Sequence, residues 1–268
     1  MNAAGISRTE KMIARKDGPI GWIVFNNPAR RNAVSVEMWE ALAEIVDDYA
    51  RDPAIRVIVA RGAGGKAFVS GADISEFEQK RSTPESTEAY RRISERGGEA
   101  LRLVGKPTIA MIEGFCIGGG VSLALSCDLR IAAESARFGV PAARLGLGYE
   151  LPGVKKLVDV VGPAFAKEIF YTARQFTAAE ALQMGLINRM VADDQLESYV
   201  ADYARMIAAN APLTVASIKT IVGEALKDES KRDEALCDRV VDQCFNSEDY
   251  VEGRRAFMEK RPAVFKGR

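Results

Sequence analysis

Two periods of hydrophobic spacing run along the chain. Residues 20–25 (IGWIVF) form a short β-rich run, closed by the turn formers Asn26, Asn27 and Pro28. Met38, Leu42, Ile45 and Val46 then fall on one face at helical spacing, which predicts a helix over about 36–50. Strands are predicted at 55–60 (IRVIVA) and 66–70, the latter running into Gly71, Ala72 and Asp73. Thr83 followed by Pro84 reads as a cap and first helical position, opening a polar, surface-exposed helix through about Leu103. Further strands are predicted at 107–112 and 128–133, with a helix between them opened by Gly118, Gly119 and Gly120. Alternating strand and helix up to about residue 140 implies a layered α/β domain.

Beyond Leu151 the strand signals nearly vanish. Thr177-Ala-Ala-Glu180 is a capping box, Gly185 is a stop, and amphipathic stretches occupy about 193–210, 212–227 and 233–246. The expected organisation is a core over 1–200 and a helical C-terminal layer over 201–268. With no repeat and no low-complexity linker, that boundary is more a change of layer than of domain.

Composition narrows the chemistry. With 268 residues and 47% hydrophobic content, the chain can bury one large core or two unequal ones. The 37 Lys and Arg balance 37 Asp and Glu, so no field is built to hold nucleic acid or an anionic membrane. There is no histidine, which excludes Ser-His-Asp and Cys-His machinery and His-based zinc sites. Proton transfer falls to carboxylate, Tyr, Lys, Cys or water. Cys116, Cys127, Cys237 and Cys244 lack metal-type spacing and read as reduced, structural thiols, so no metal is expected. No apolar run reaches membrane-spanning length and the start, MNAAGISRTEKMIARKDG, lacks a secretory core; the expected location is cytoplasmic.

The glycine run at 118–120 admits several readings. A dinucleotide fingerprint fails for want of its last glycine, and a nucleotide-triphosphate loop fails because Ala67 follows Gly65 and Lys66. Close packing of strand on helix suits one glycine better than three. The remaining reading is an anion site, where bare backbone lets an oxygen approach free N–H groups at a helix start. The stretch GAGGKAFVSGADISEF (62–77) has the same character, with Ala72, Asp73 and Ile74 opening a helical turn. Two N–H donors from separate loops, converging on one oxygen, make an oxyanion hole.

At this point the chain resembles the crotonase, or enoyl-CoA hydratase/isomerase, superfamily over nearly its whole length. The blocks that carry the resemblance are NNPARRNAVS (26–35), KAFVSGADISEF (66–77), IEGFCIGGGVSLALSCDLRIA (112–132), ARFGVPAARLGLG (136–148), TARQFTAAEALQMGLINRMV (172–191) and EGRRAFMEKRPAVFK (252–266). The resemblance implies an α/β fold, a spiral of β-β-α units with a C-terminal helical layer that builds trimers, often pairs of trimers. It implies an acyl-CoA substrate, no cofactor beyond the CoA moiety, and a thioester carbonyl held by the N–H groups of Ala72 and Gly119. CoA would lie along Ala29, Arg30, Arg31 and Ala33 and along Ala72, Asp73 and Ile74. Phe257 and Lys260 would contact its nucleotide end, from the same or a neighbouring subunit; for Lys260 the alternative is a solvated surface lysine.

In hydratases of the superfamily two glutamates hold the attacking water, and the matching positions here are Ser122 and Ala142. A hydroxyl and a methyl cannot serve as acid and base near neutral pH. The segment RLGLGYELPG (144–153) offers a replacement: Glu150 resembles the acidic residue of several isomerases and dehalogenases of the superfamily, and Tyr149 a tyrosine of its decarboxylases. A pocket lined by Leu145, Leu147 and Leu151 would raise the pKa of Glu150 by burial. The alternatives are a helix-terminal acid for Glu150, a plain pocket wall for Tyr149, a packing or capping role for Ser122, and ordering of the hole loop by Asp73. Glu113 is taken as structural. The favoured expectation is an enoyl-CoA isomerase with Glu150 as proton shuttle. A malonyl-type decarboxylase, a residual hydratase and a silent acyl-CoA binder stand beside it.

Overall fold

A computed structural model describes residues 9–73 and 83–268. Strand β1 (Met12–Asp17) turns back through Gly18 into β2 (Ile20–Phe25), and helix α1 (Val36–Arg51) follows. The chain then repeats one unit. Strands β3 (Val57–Gly62) and β4 (Ala67–Val69) precede α2 (Pro84–Leu103); β5 (Thr108–Ile112) and β6 (Phe115–Ile117) precede α3 (Gly119–Ala124); β7 (Leu129–Ala133) and β8 (Arg137–Gly139) precede α4 (Leu151–Thr172). Each unit sends its first strand to a six-stranded sheet and its second to a four-stranded sheet; with β9 (Phe176–Thr177) and β10 (Arg189–Val191) the orders are β1-β2-β3-β5-β7-β10 and β4-β6-β8-β9. This is the expected β-β-α spiral.

Strand β9 (Phe176–Thr177), α5 (Ala178–Gln183) and β10 (Arg189–Val191) complete the two sheets. After them come α6 (Leu196–Ala208), α7 (Pro212–Ala225), α8 (Glu234–Phe245) and α9 (Glu248–Glu259). Among the described residues no single helix is long and apolar enough to cross a membrane.

Alternation along the strands builds two cores on the two faces of the large sheet. Ile23, Phe25, Ile58, Ala60, Ala110 and Ile112 join the larger core with α1. Their neighbours Ile20, Trp22, Val57, Val59, Ile109 and Met111 face α6, which meets them with Leu196 and Val200. Burying such side chains contributes about 1.5–3 kcal/mol each, enough to hold α6 on the sheet.

The helix expected at 36–50 runs to Arg51, and the one opened by Thr83 spans Pro84–Leu103 with the cap in place, Ser86 N–H donating to Thr83 Oγ1. Its exposed, polar character needs correcting. Tyr90, Gly97, Gly98 and Leu101 are buried, because this face packs on α1, where a Cβ at Gly97 would lie 2.7 Å from the Trp39 ring. Strand β3 begins two residues later than predicted, since Ile55 still belongs to the turn in which its N–H bonds Asp52 O. Residues 1–8 and the helical turn expected at Ile74 lie outside the described residues.

Candidate active site

Strand β4 ends at Val69 and delivers Ser70, Gly71 and Ala72 to one end of the small sheet. The 26–35 loop holds this segment from the side. Ser70 N–H donates to Arg31 O at 3.1 Å, Val34 N–H to Gly71 O at 2.9 Å, and Asp73 N–H to Val34 O at 3.0 Å. Arg30 adds a 2.9 Å ion pair to the buried Asp73, the loop-ordering role expected for that carboxylate.

Asn32 pins the loop in turn. At φ 57° it adopts the left-handed conformation that asparagine tolerates better than most residues. Its fully buried amide donates to Ala63 O (2.9 Å) and Ala67 O (2.7 Å), while Oδ1 accepts from Asn27 N–H (2.9 Å).

The three consecutive glycines do three different things. Gly118 takes φ 55° and donates to Gly139 O at 2.8 Å, which turns the chain into α3. Gly119 is the first helical residue; a Cβ on it would lie 3.5 Å from Gly71 Cα and 3.7 Å from Ala72 N, so the two loops meet here. Gly120 packs against the strand: its Cβ would sit 2.0 Å from Val69 O. The packing role discounted from sequence is therefore present at one of the three positions.

Among the described residues, no hydrogen bond uses the N–H of Ala72 or of Gly119. The Val34–Ala72 bridge consumes Gly71 O and Asp73 N–H and leaves the Ala72 N–H on the opposite side. Gly119, opening a helix, has no intrahelical acceptor. Two backbone donors from separate loops thus stand side by side at the wall of a cavity of about 790 Å³. Such a pair can bind one oxygen that gains negative charge.

The cavity gathers much of what the sequence singled out. Arg30, Ala33, Ala72, Asp73, Gly119, Ser122, Ala142, Tyr149 and Glu150 all line it. Tyr149 packs edge-on against Phe170 with ring centroids 4.9 Å apart, and burial pushes its phenol above the ordinary value. Ala29, Arg31, Phe257 and Lys260 are not among its lining residues. Arg31 lies over the Phe115 ring at 4.9 Å, and Phe257 is 82% exposed near the end of α9. Ile74 falls outside the described residues.

The enclosure expected around Glu150 is absent from this chain. Its side chain is 67% exposed, with Oε2 3.6 Å from Arg91 Nη1. Leu145 and Leu147 line the cavity but are themselves exposed, and Leu151, 78% exposed, is not among its lining residues. The reason is local: Pro141–Leu145 is a 3-10 turn, followed by a loop that lies along the open rim of the cavity. Glu150 is the N-cap residue of α4, but its side chain makes no capping hydrogen bond. Its position fits the helix-terminal alternative all the same, since the helix dipole favours an acid at the N-terminus without any capping hydrogen bond. Glu113 lies away from the cavity, beside Gly65.

Sequence reasoning tied the pocket to the helix at 83–103 but named none of the α2 residues that line it. Tyr90, Ser94 and Gly98 recur every four residues and so share one face, which lines the cavity together with Arg91 and Glu95. Arg91 is engaged on three sides, by Glu88 at 2.8 Å, Glu95 at 3.1 Å and Glu150, and these carboxylates hold its guanidinium above the ordinary value. The periodicity of those small and polar residues was the available signal.

Residues 15–268 match the family described as enoyl-CoA hydratase/isomerase. The chain is 32% identical over 253 residues to a short-chain-enoyl-CoA hydratase of Clostridium acetobutylicum, covering 93% of this chain and 95% of the relative. It is 34% identical to a crotonyl-CoA hydratase of Syntrophomonas wolfei, covering 96% and 98%. The fold superposes on a solved enoyl-CoA hydratase/carnithine racemase from Magnetospirillum magneticum with a TM-score of 0.92 at 37% identity, over 97% of each chain. An enoyl-CoA hydratase structure from Bacillus anthracis gives 0.90 at 30% identity, over 97% of this chain and all of the other.

Proposed function

The chain belongs to the enoyl-CoA hydratase/isomerase family, and within it we propose an enoyl-CoA isomerase that uses Glu150 as its single proton shuttle. The observation that carries this reading is the pair of unused N–H groups at Ala72 and Gly119 in a cavity that Glu150 also lines. The thioester oxygen accepts from both N–H groups. Glu150 takes a proton from the α-carbon of a 3-enoyl-CoA, the two donors hold the charge on the dienolate oxygen, and the same carboxyl returns the proton at the γ-carbon. The product is the conjugated 2-enoyl-CoA, and no atom is gained or lost.

Ser122 and Ala142, at the positions that the resemblance assigns to hydratase glutamates, line the same cavity and supply no second carboxylate. That favours a one-base proton shift over hydration. Hydration is the second reading, since the named relatives are hydratases and a water could be held by Glu150 alone. A malonyl-type decarboxylase finds support in Tyr149, which lines the cavity, but Glu150 would repel the departing carboxylate.

The CoA moiety is assigned to the 26–35 loop and to Ala72–Asp73. Assembly into a trimer, or a pair of trimers, covers the exposed stripe of Ile218 and Val222 on α7 and of Leu226 at its C-cap, and brings Phe257 and Lys260 of a neighbouring copy toward the nucleotide.

The test is incubation with a 3-enoyl-CoA in heavy water, with product identified by mass spectrometry. Wild type is expected to yield the conjugated isomer. Glu150→Gln is expected to lose turnover at least a hundredfold while still binding acyl-CoA. Normal turnover in that variant eliminates Glu150 as the base, and 3-hydroxyacyl-CoA formed from a 2-enoyl-CoA selects hydration.

A further inference from the structure

Helix α2 carries two adjacent glycines in its interior, Gly97 and Gly98, although glycine is a poor residue there. Packing accounts for the first. A Cβ on Gly97 would lie 2.7 Å from the Trp39 ring and 3.0 Å from Trp39 O. Packing does not account for the second. A Cβ on Gly98 would meet a single atom within 4 Å, Ser126 Oγ at 3.4 Å, an ordinary contact, and the backbone at Gly98 is not at positive φ. Alanine fits there, so the missing side chain leaves space where Gly98 lines the cavity.

That space lies deep. Ser126, which faces Gly98 and also lines the cavity, is only 3% exposed. It follows Gly119 by seven residues along α3 and its closing turn, a distance of about 10 Å at the helical rise. A four-carbon acyl group spans three bonds of about 1.5 Å and ends well short of it.

The passage is also apolar in effect. Three of its hydroxyls are turned to partners in the protein: Ser126 Oγ donates to Ser122 O, Ser94 Oγ donates to Arg91 O, and the Tyr90 hydroxyl accepts from Trp39 Nε1. Trp39 and Leu123 supply its hydrocarbon.

We infer that Gly98 determines acyl-chain length: its missing side chain opens the inner end of the cavity to the tail of a straight aliphatic acyl group of about eight carbons, which runs between α2 and Ser126. The inference rests on the acyl-CoA reading of the cavity and is independent of which group moves the proton.

The test is equilibrium binding of the saturated thioesters octanoyl-CoA and butanoyl-CoA, which cannot react, to wild type, Gly98→Val and Gly98→Ala. The valine branches project into the cavity, so the ratio of octanoyl to butanoyl affinity is expected to fall at least tenfold. Gly98→Ala, which suits a helix better than glycine, is expected to lower the ratio two- to threefold and keeps the test open if the valine variant fails to fold. An unchanged ratio in a folded variant overturns the inference. Wild type that binds butanoyl-CoA and rejects octanoyl-CoA also overturns it, while leaving the acyl-CoA reading intact. The expected shift in a protein that isomerises nothing would remove Glu150 as the base and leave Gly98 assigned.

Discussion

Replacing Gly120 by alanine puts a methyl carbon 2.0 Å from the carbonyl oxygen of Val69. Real Cβ contacts essentially never fall below 3.0 Å, so α3 and β4 must separate by about 1 Å, and both sides of the contact are backbone. Overpacking of this kind costs about 1–3 kcal/mol, and a clash between two backbones belongs near the upper end. The displacement also reaches the site. Val69 is followed by Ser70, Gly71 and Ala72, and the Ala72 donor must stay beside that of Gly119 for one oxygen to reach both. Donors act on the developing oxyanion at 2.7–3.1 Å, and losing one costs about 10²–10³ in kcat. Gly120→Ala is therefore expected to lower stability by about 3 kcal/mol, read as a lower urea midpoint, and kcat by about two orders of magnitude. The comparison variant is Gly119→Ala, whose Cβ comes no closer than 3.5 Å to Gly71 and Ala72, so its stability should stay within about 1 kcal/mol of wild type. Urea titration followed by steady-state isomerisation assays measures both quantities. If Gly120→Ala unfolds and turns over like wild type, the spacing of α3 and β4 does not set the donor pair.

Two further outcomes follow from buried groups. Asn32→Ala removes three hydrogen bonds, strands the Ala63 and Ala67 carbonyls, and leaves alanine at φ 57°; a loss of about 3 kcal/mol or more is expected by urea titration, and a loss under 1 kcal/mol contradicts the pinning role. Burial pushes the Cys127 thiol up to about 12 and raises Cys116 as well, so the folded state keeps protons that the unfolded chain releases above about pH 9. Stability should accordingly fall as pH rises from about 9 to 12, by about 1.4 kcal/mol per pH unit for each thiol, and Cys127→Ala should flatten that slope. An identical alkaline limb in the variant would show that Cys127 does not contribute.

Much of the architecture could be read from local spacing. The period-2 runs of β2, β3, β5 and β7 and the capped, periodic faces of α1 and α2 are signals that a short window of residues contains. Four of the six strands of the large sheet and the helices packed on them were legible for that reason, whereas β1 and β10 went unpredicted. In the small sheet only β4 was legible: β6, β8 and β9 have two or three residues each, too few to display a period, and only their pairing with β4 and with one another makes them strands. The donor pair was half legible. Glycines before a helix and after a strand mark free N–H groups, but that Gly119 meets Gly71 and Ala72 is decided by the spiral that stacks β4 beside β6.

The surroundings of Glu150 belonged to tertiary structure alone. Leucines near it in sequence suggested an apolar enclosure, and a 3-10 turn sets them along the open rim, with Arg91 of α2 as the nearest partner. The same holds for Gly98. By sequence it is a weak point in a polar helix; against Ser126 it becomes an opening. Residue types and their periodicity determined which elements form and which chemistry the chain excludes, because both are local properties. Which bare backbone packs, which binds and which leaves a space depends on what the chain brings opposite it, and only the folded spiral supplies that partner.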